Sequence, residues 1–204
     1  MSDALAVDLF VEDRAHEEFL IPLLHRIAKE ESVNVAVRVR AARGGHARTI
    51  DEFRLYQTLV EKGATETPDL VIVGIDGNCS TFARKKREIA NATSPSLAAK
   101  VIAACPDPHV ERWYLADPDS FELVVGYQPR VGRRPKCVRD HYKRLLADSV
   151  RLAGQLPTLG GVEFAAELVA GMDLYRAGRN DHSLRAFLDD LRAKLRQTRG
   201  QEES

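Results

Sequence analysis

The order of the apolar segments constrains this chain most. Short runs rich in branched side chains alternate with stretches of helical period through the first 105 residues. ALAVDLFV (4–11) reads as a buried strand, and Glu12 and Asp13 close it. From Arg14 to Glu31 the positions Phe19, Leu20, Leu23, Leu24 and Ile27 follow a helical period, with Pro22 expected to kink or restart the helix. VNVAVRVRA (33–41) alternates like a strand with one wetter face. Thr49 to Lys62 again has helical spacing. DLVIVGID (69–76), the most apolar run, reads as a central parallel strand. A polar helix over Ser80–Ala92 and a strand over Lys100–Cys105 complete the series. A β-α-β-α-β-α-β order predicts an α/β fold: a mostly parallel sheet of about four strands with helices on its faces.

Beyond Pro108 the pattern turns helical. Residues 109–126 read as one or two helices interrupted at Pro118. Two final helices are expected at about Val162–Arg176 and Ser183–Gln197, the second capped by Asp181, with fraying after residue 197. The division predicted is an α/β domain over 1–125 and a helical extension over 126–204 packed on it.

Composition narrows the class. With 204 residues, 44% hydrophobic, the chain has enough apolar surface for a sizeable core. No run has the length and apolarity of a membrane span, and MSDALAVDLF does not look like a signal peptide. Thirty basic residues balance thirty acidic ones, which argues against general polyanion coating but leaves room for a local basic face. Cys79, Cys105 and Cys137 form no CxxC pair, so neither a disulfide framework nor a zinc site is expected, and the reading is cytoplasmic and reduced.

In parallel sheets ligands sit at the carboxyl ends of the strands, and two strands here end in acids, Glu12 and Asp76. Side chains two apart on an extended chain point the same way, so Asp76 and Asn78, separated by the pliable Gly77, can aim two oxygens at one cation. Glu12 supplies a third oxygen or acts as a general acid/base. Mg²⁺ (or Mn²⁺) suits such a site, since it takes hard oxygen ligands and keeps several waters. The competing reading is that these acids only cap helices and solvate turns.

The motifs VED-RAHEEFL (11–20), Asp76-Gly77-Asn78, ERWYLAD (111–117) and HSLRAFLDDLRAKL (182–195), in that order, resemble the Toprim family. The likeness is to its small stand-alone type, related to the overcoming-lysogenization-defect (OLD) nucleases and encoded beside ABC-type ATPases. It covers nearly the whole chain and implies a Toprim-like (Rossmann-like) fold carrying a Mg²⁺-dependent nuclease subunit. That subunit would act on nucleic acid, DNA rather than RNA, with an ATPase partner in phage defence or DNA maintenance. By the resemblance Glu12 and Asp76 are the catalytic pair, and Asn78 holds the place of a second aspartate. Glu111 and Asp117 add ligands or packing, and either Glu17 or His16 takes the second acidic position of the opening motif. Asn78 gives up a negative charge there, which keeps a second expectation open: a module that binds nucleic acid or the ATPase without cleaving. No membrane partner is implied, and a homo-oligomer is compatible.

For nucleic-acid contact the candidates are Arg84 and Lys85, close after the Asp76 turn, and Arg133, Arg134 and Lys136 in a segment (126–154) with eight Lys/Arg against two Asp. The segment is equally readable as solvated surface charge, and surface charge on an exposed helix is the favoured reading of Arg84 or Lys85 taken singly. Trp113 and Tyr114 read as core anchors rather than base-stacking groups. No Walker lysine motif, G-x-G-x-x-G or G-x-S-x-G is present, so ATP hydrolysis by this chain is not expected.

Overall fold

The computed structural model describes residues 4–41, 44–132, 137–138 and 140–202. Its sheet has four parallel strands, β1 (Leu5–Val11), β2 (Val35–Ala41), β3 (Leu70–Gly74) and β4 (Val101–Ala104), in the order β2-β1-β3-β4. The predicted α/β class and strand series therefore hold. The helices between them are α1 (Arg14–Glu30), α2 (Gly45–Glu61) and α3 (Phe82–Ala92).

Both faces of the sheet are covered, which is why its strands read as near-continuous apolar runs. Alternate side chains face opposite ways. Val7, Leu9 and Val11 of β1, with Leu70, Ile72 and Ile102, pack under Phe19, Leu20, Leu23 and Ile27 of α1. Phe10, Val71 and Val73 pack under Ile50, Phe53 and Tyr56 of α2 and Ile89 of α3. Pro22 does not restart α1, which runs unbroken through it with five large apolar side chains pinning one face to the core. On the α2 face, Asp8 is fully buried, receives the Tyr56 hydroxyl and pairs with Arg38 at 2.8 Å and Arg40 at 3.3 Å. It is a structural charge on the far side of the sheet from α1.

The C-terminal half adds α4 (Glu111–Tyr114), α5 (Pro118–Val125), α6 (His141–Leu152), α7 (Ala165–Gly171), α8 (Leu174–Asn180) and α9 (His182–Glu202). Pro118 opens α5, where its missing N–H costs nothing. The helix predicted over 162–176 is divided: a 3₁₀ turn at Val162–Phe164 leads into α7, and the chain turns at Met172–Asp173 before α8. Asp181 caps α9 as expected, its Oδ1 accepting the backbone N–H of Ser183 and Leu184. Helix α9 continues to Glu202, past the point where fraying was expected. Helices α5 to α9 share one core with α1 and the sheet.

Trp113 and Tyr114 are fully buried against Phe19, and Trp113 stacks on Phe187 with centroids 5.5 Å apart. They are core anchors. Cys79 and Cys137, expected to stay unpaired, instead form a disulfide across 58 residues with Cα atoms 4.7 Å apart, while Cys105 is free and buried. Spacing carries no signal for such a pair, because only the fold brings the two loops together.

Of the two roles expected for Asp117, ligand or packing, the structure shows packing. Its carboxylate is fully buried and takes Arg176 Nε at 2.5 Å and Nη2 at 2.9 Å, plus the backbone N–H of Asp173 at 2.8 Å. Burial opposes the charge, but Arg176 and these hydrogen bonds outweigh it and hold the carboxyl below its usual range. Asp117 is the clamp that fixes α8 to the start of α5, not a metal ligand. Replacing it by Ala strands Arg176 and the Asp173 N–H, and should cost about 2 kcal/mol. The expected readout is a melting temperature lower by about 4–8 °C with divalent-cation binding unchanged.

Candidate functional site

The sheet order sets the site. The chain leaves β1 toward β2 on one side and returns to β3 on the other, so β1 and β3 flank the point where strand order reverses. Crevices at such points, beyond the carboxyl ends of the strands, are where α/β sheets bind ligands. Val11 and Gly74 are paired at those ends, so Glu12 and Asp76 emerge side by side. The Asp76 N–H donates to Glu12 Oε2 at 3.3 Å.

Asp13 caps α1, its Oδ1 accepting the His16 N–H at 3.0 Å. That fixes His16, which is fully buried, with Nδ1 2.8 Å from Asp13 Oδ1 and Nε2 3.2 Å from Asp76 Oδ1. Nε2 lacks a well-aligned hydrogen-bond partner among the described residues. Gly74 makes room for this approach: a Cβ there would lie 3.1 Å from Leu20 and 3.4 Å from the His16 ring. Asp76 Oδ2 meets His109 Nδ1 at 2.9 Å, and Oδ1 accepts the Val110 N–H at 2.9 Å. Glu111, first residue of α4, is buried beside the same cluster.

The charges sort into two groups. Burial penalises Asp76, Asp13 and His16, yet the imidazole–carboxylate contacts prevail. Asp76 is held below the usual carboxylate range, Asp13 at about 2, and His16 well above the usual imidazole value. His109 is raised by its hydrogen bond to Asp76. For Glu12 and Glu111 the balance runs the other way: burial and the nearby Asp76 charge raise both, and the opposing pull of His16 and of backbone hydrogen bonds does not offset them. The rim thus gathers four acids around two imidazoles, with two carboxyls under-neutralised. One donor atom each of Glu12, Asp13 and His16 lies within 4.8 Å of the others. Two carboxylates and an imidazole at this spacing form a group that can hold a metal ion.

The structure brings together Glu12, Asp76, Glu111 and His16 of the expected residues. It leaves out Asp117, as above, and Glu17, which is half-buried further along α1 and outside the Glu12–Asp13–His16 group. Asn78 is exposed and left-handed at φ 50°, so the extended geometry that would align it with Asp76 is not realised. It borders a shallow hollow with Ser80, Arg84 and Lys85 instead. Gly77 serves packing: its N–H donates to Pro106 O at 2.7 Å, and a Cβ there would lie 2.9 Å from that oxygen. Arg84 is exposed on α3, whereas Lys85 is occupied by Glu88 at 3.0 Å and His46 at 3.0 Å. Arg133, Arg134 and Lys136 lie outside the described residues. His109 was not singled out by sequence. The signal available was a histidine two residues before the acid of ERWYLAD.

Compared with known proteins, the chain matches no family model, and no curated protein or solved structure matches it either. The class defined by the fold is an α/β protein with a parallel, Rossmann-like sheet and a carboxylate–histidine cluster at its switch point.

The His16 pairing has a pH signature. An imidazole whose folded pKa is raised contributes stability that is complete below its unfolded value of 6.5 and lost as pH climbs toward the folded value. Melting temperature should therefore fall as pH rises from about 6 through the alkaline range. His16→Gln, less stable at neutral pH, should flatten that slope; an unchanged slope would remove His16 as its source.

Proposed function

We propose that this chain is a Toprim-like, Mg²⁺-dependent nuclease subunit that cleaves phosphodiester bonds at the β1–β3 rim. The observation that carries the reading is the convergence of Glu12, Asp76 and Glu111 at the carboxyl-end rim of β1 and β3, with burial and the Asp76 charge raising both glutamates. Asp76 and Glu111 would hold the cation, and when bound it supplies Lewis-acid charge to a phosphate oxygen. Each residue then has a separate task. Asp76 is oriented by His16, His109 and the Val110 N–H, so its carboxylate is fixed before substrate arrives. Glu12, part-exposed and raised by burial, is tuned to take a proton from an attacking water. Asp13 sets the position of His16. Nucleic acid, DNA before RNA, is the substrate class, and the Toprim resemblance adds an ABC-type ATPase partner and a role in phage defence or DNA maintenance.

A second reading, a module that binds nucleic acid or the ATPase without cleaving, is favoured by one observation. Both Asp76 oxygens are already engaged, and Asn78 points the chain away from them. Nicking of supercoiled plasmid with Mg²⁺ or Mn²⁺ separates the two. The nuclease reading expects chelator-sensitive nicking that drops about a hundredfold or more in Glu12→Ala and Asp76→Ala. Intact DNA and RNA, even with the ATPase present, would leave the non-cleaving module.

A further inference from the structure

A second polar feature lies away from the rim, where α8 and α9 cross. Gly178 permits the close crossing, since a Cβ there would sit 3.3 Å from Arg185 Cβ. Beside it runs a groove of about 470 Å³ whose lining includes Tyr175, Arg179, Arg185, Asp189 and Arg192. Three guanidinium groups face one carboxylate there, on a chain whose overall charge is zero. Arg185 and Asp189 are 3.7 Å apart with side chains 64% and 68% exposed, a water-screened pair that leaves Arg185 available. Arg192 leans on Glu30 of α1 at 3.2 Å. Arg179 is exposed, and among the described residues it has no ion pair.

Tyr175, in the first turn of α8, is 77% exposed, although its neighbour Leu174 is buried. An aromatic ring standing in water beside Arg179 and the water-screened Arg185 is the pairing that single-stranded nucleic acid uses, with phosphates on arginine and an unpaired base on the ring. A duplex hides its base faces, and a run of Asp and Glu offers carboxylates without a ring to stack on the tyrosine. The groove is also tied to the rim. Arg112, next to Glu111, donates Nε to Asp181 Oδ2 at 2.7 Å and Nη2 to Asn180 O at 3.2 Å, gripping the α8–α9 junction.

We propose that the α8–α9 groove binds single-stranded nucleic acid, with Arg179 and Arg185 on phosphates and Tyr175 beneath a base. The proposal rests on the phosphodiester reading of the rim, whose substrate it would hold.

Fluorescence anisotropy with a fluorescein-labelled oligothymidine, in EDTA to prevent cleavage, tests it on the full chain. Wild type should bind, more weakly as salt rises. Arg179→Glu/Arg185→Glu should weaken binding at least about tenfold and flatten the log–log salt slope by about 1.4. Arg179→Gln, a milder change, should weaken binding in the same direction. Tyr175→Ala should cost about tenfold and Tyr175→Phe little, because stacking needs the ring and not the hydroxyl. Wild-type affinity in these arginine and Ala variants, with unchanged circular dichroism, would overturn the proposal. So would equal affinity for a duplex of the same length, or displacement of the oligonucleotide by polyglutamate at equal charge, which would mark an acidic-peptide groove. The two readings fail separately: nicking without groove-dependent binding removes the groove, and groove-dependent binding without nicking removes the nuclease.

Discussion

Parallel pairing of β1 with β3, in a sheet whose order reverses between them, is the constraint on which the rest depends. It aligns Val11 with Gly74, so the residues that follow cannot avoid one another. Glu12 and Asp76 are drawn to one rim by backbone hydrogen bonds and by the buried apolar faces of two strands, before any attraction between their own side chains. Acids packed this closely repel, and the fold meets that cost with His16 and His109 on Asp76. What is left over falls on Glu12 and Glu111.

That division of charge connects packing to function. Asp13 holds the His16 imidazole at the helix start, and Gly74 keeps the strand beneath it and Leu20 uncrowded. His16 therefore belongs to the scaffold as well as to the rim: the contact that stabilises α1 on the sheet also fixes the Asp76 carboxylate. Preorganisation of this kind holds a carboxylate in place without rearrangement. The second face of the sheet shows the contrast. Asp8 is as buried as any acid in the molecule but is matched by two arginines and a tyrosine hydroxyl, leaving no charge to bind anything.

The C-terminal helices join the rim to a surface that the strand pattern does not reveal. Asp117 with Arg176 sets α8, Asp181 caps α9, and Arg112 links their junction to α4. The same residues that close the core therefore set the distance between the carboxylate cluster and the arginine groove. Cys79 and Cys137 add a further tie, between the loop after β3 and the segment before α6.

The strand–helix series was legible from residue order, because buried parallel strands must be apolar throughout and covering helices must show a stripe. Glu12 and Asp76 were legible for the same reason, as acids at the ends of such strands. The roles of Asn78 and Asp117 were not. A left-handed turn carried Asn78 out of line, and an arginine 59 residues away took Asp117 into the core. His109 and the Cys79–Cys137 pair depended likewise on partners distant in sequence. The sequence by itself determined the elements, since hydrophobic period is a local property of the chain. Which charged groups meet, and which are left uncompensated, only the tertiary structure decided, because electrostatic partners are fixed by distance in space and not by separation along the chain.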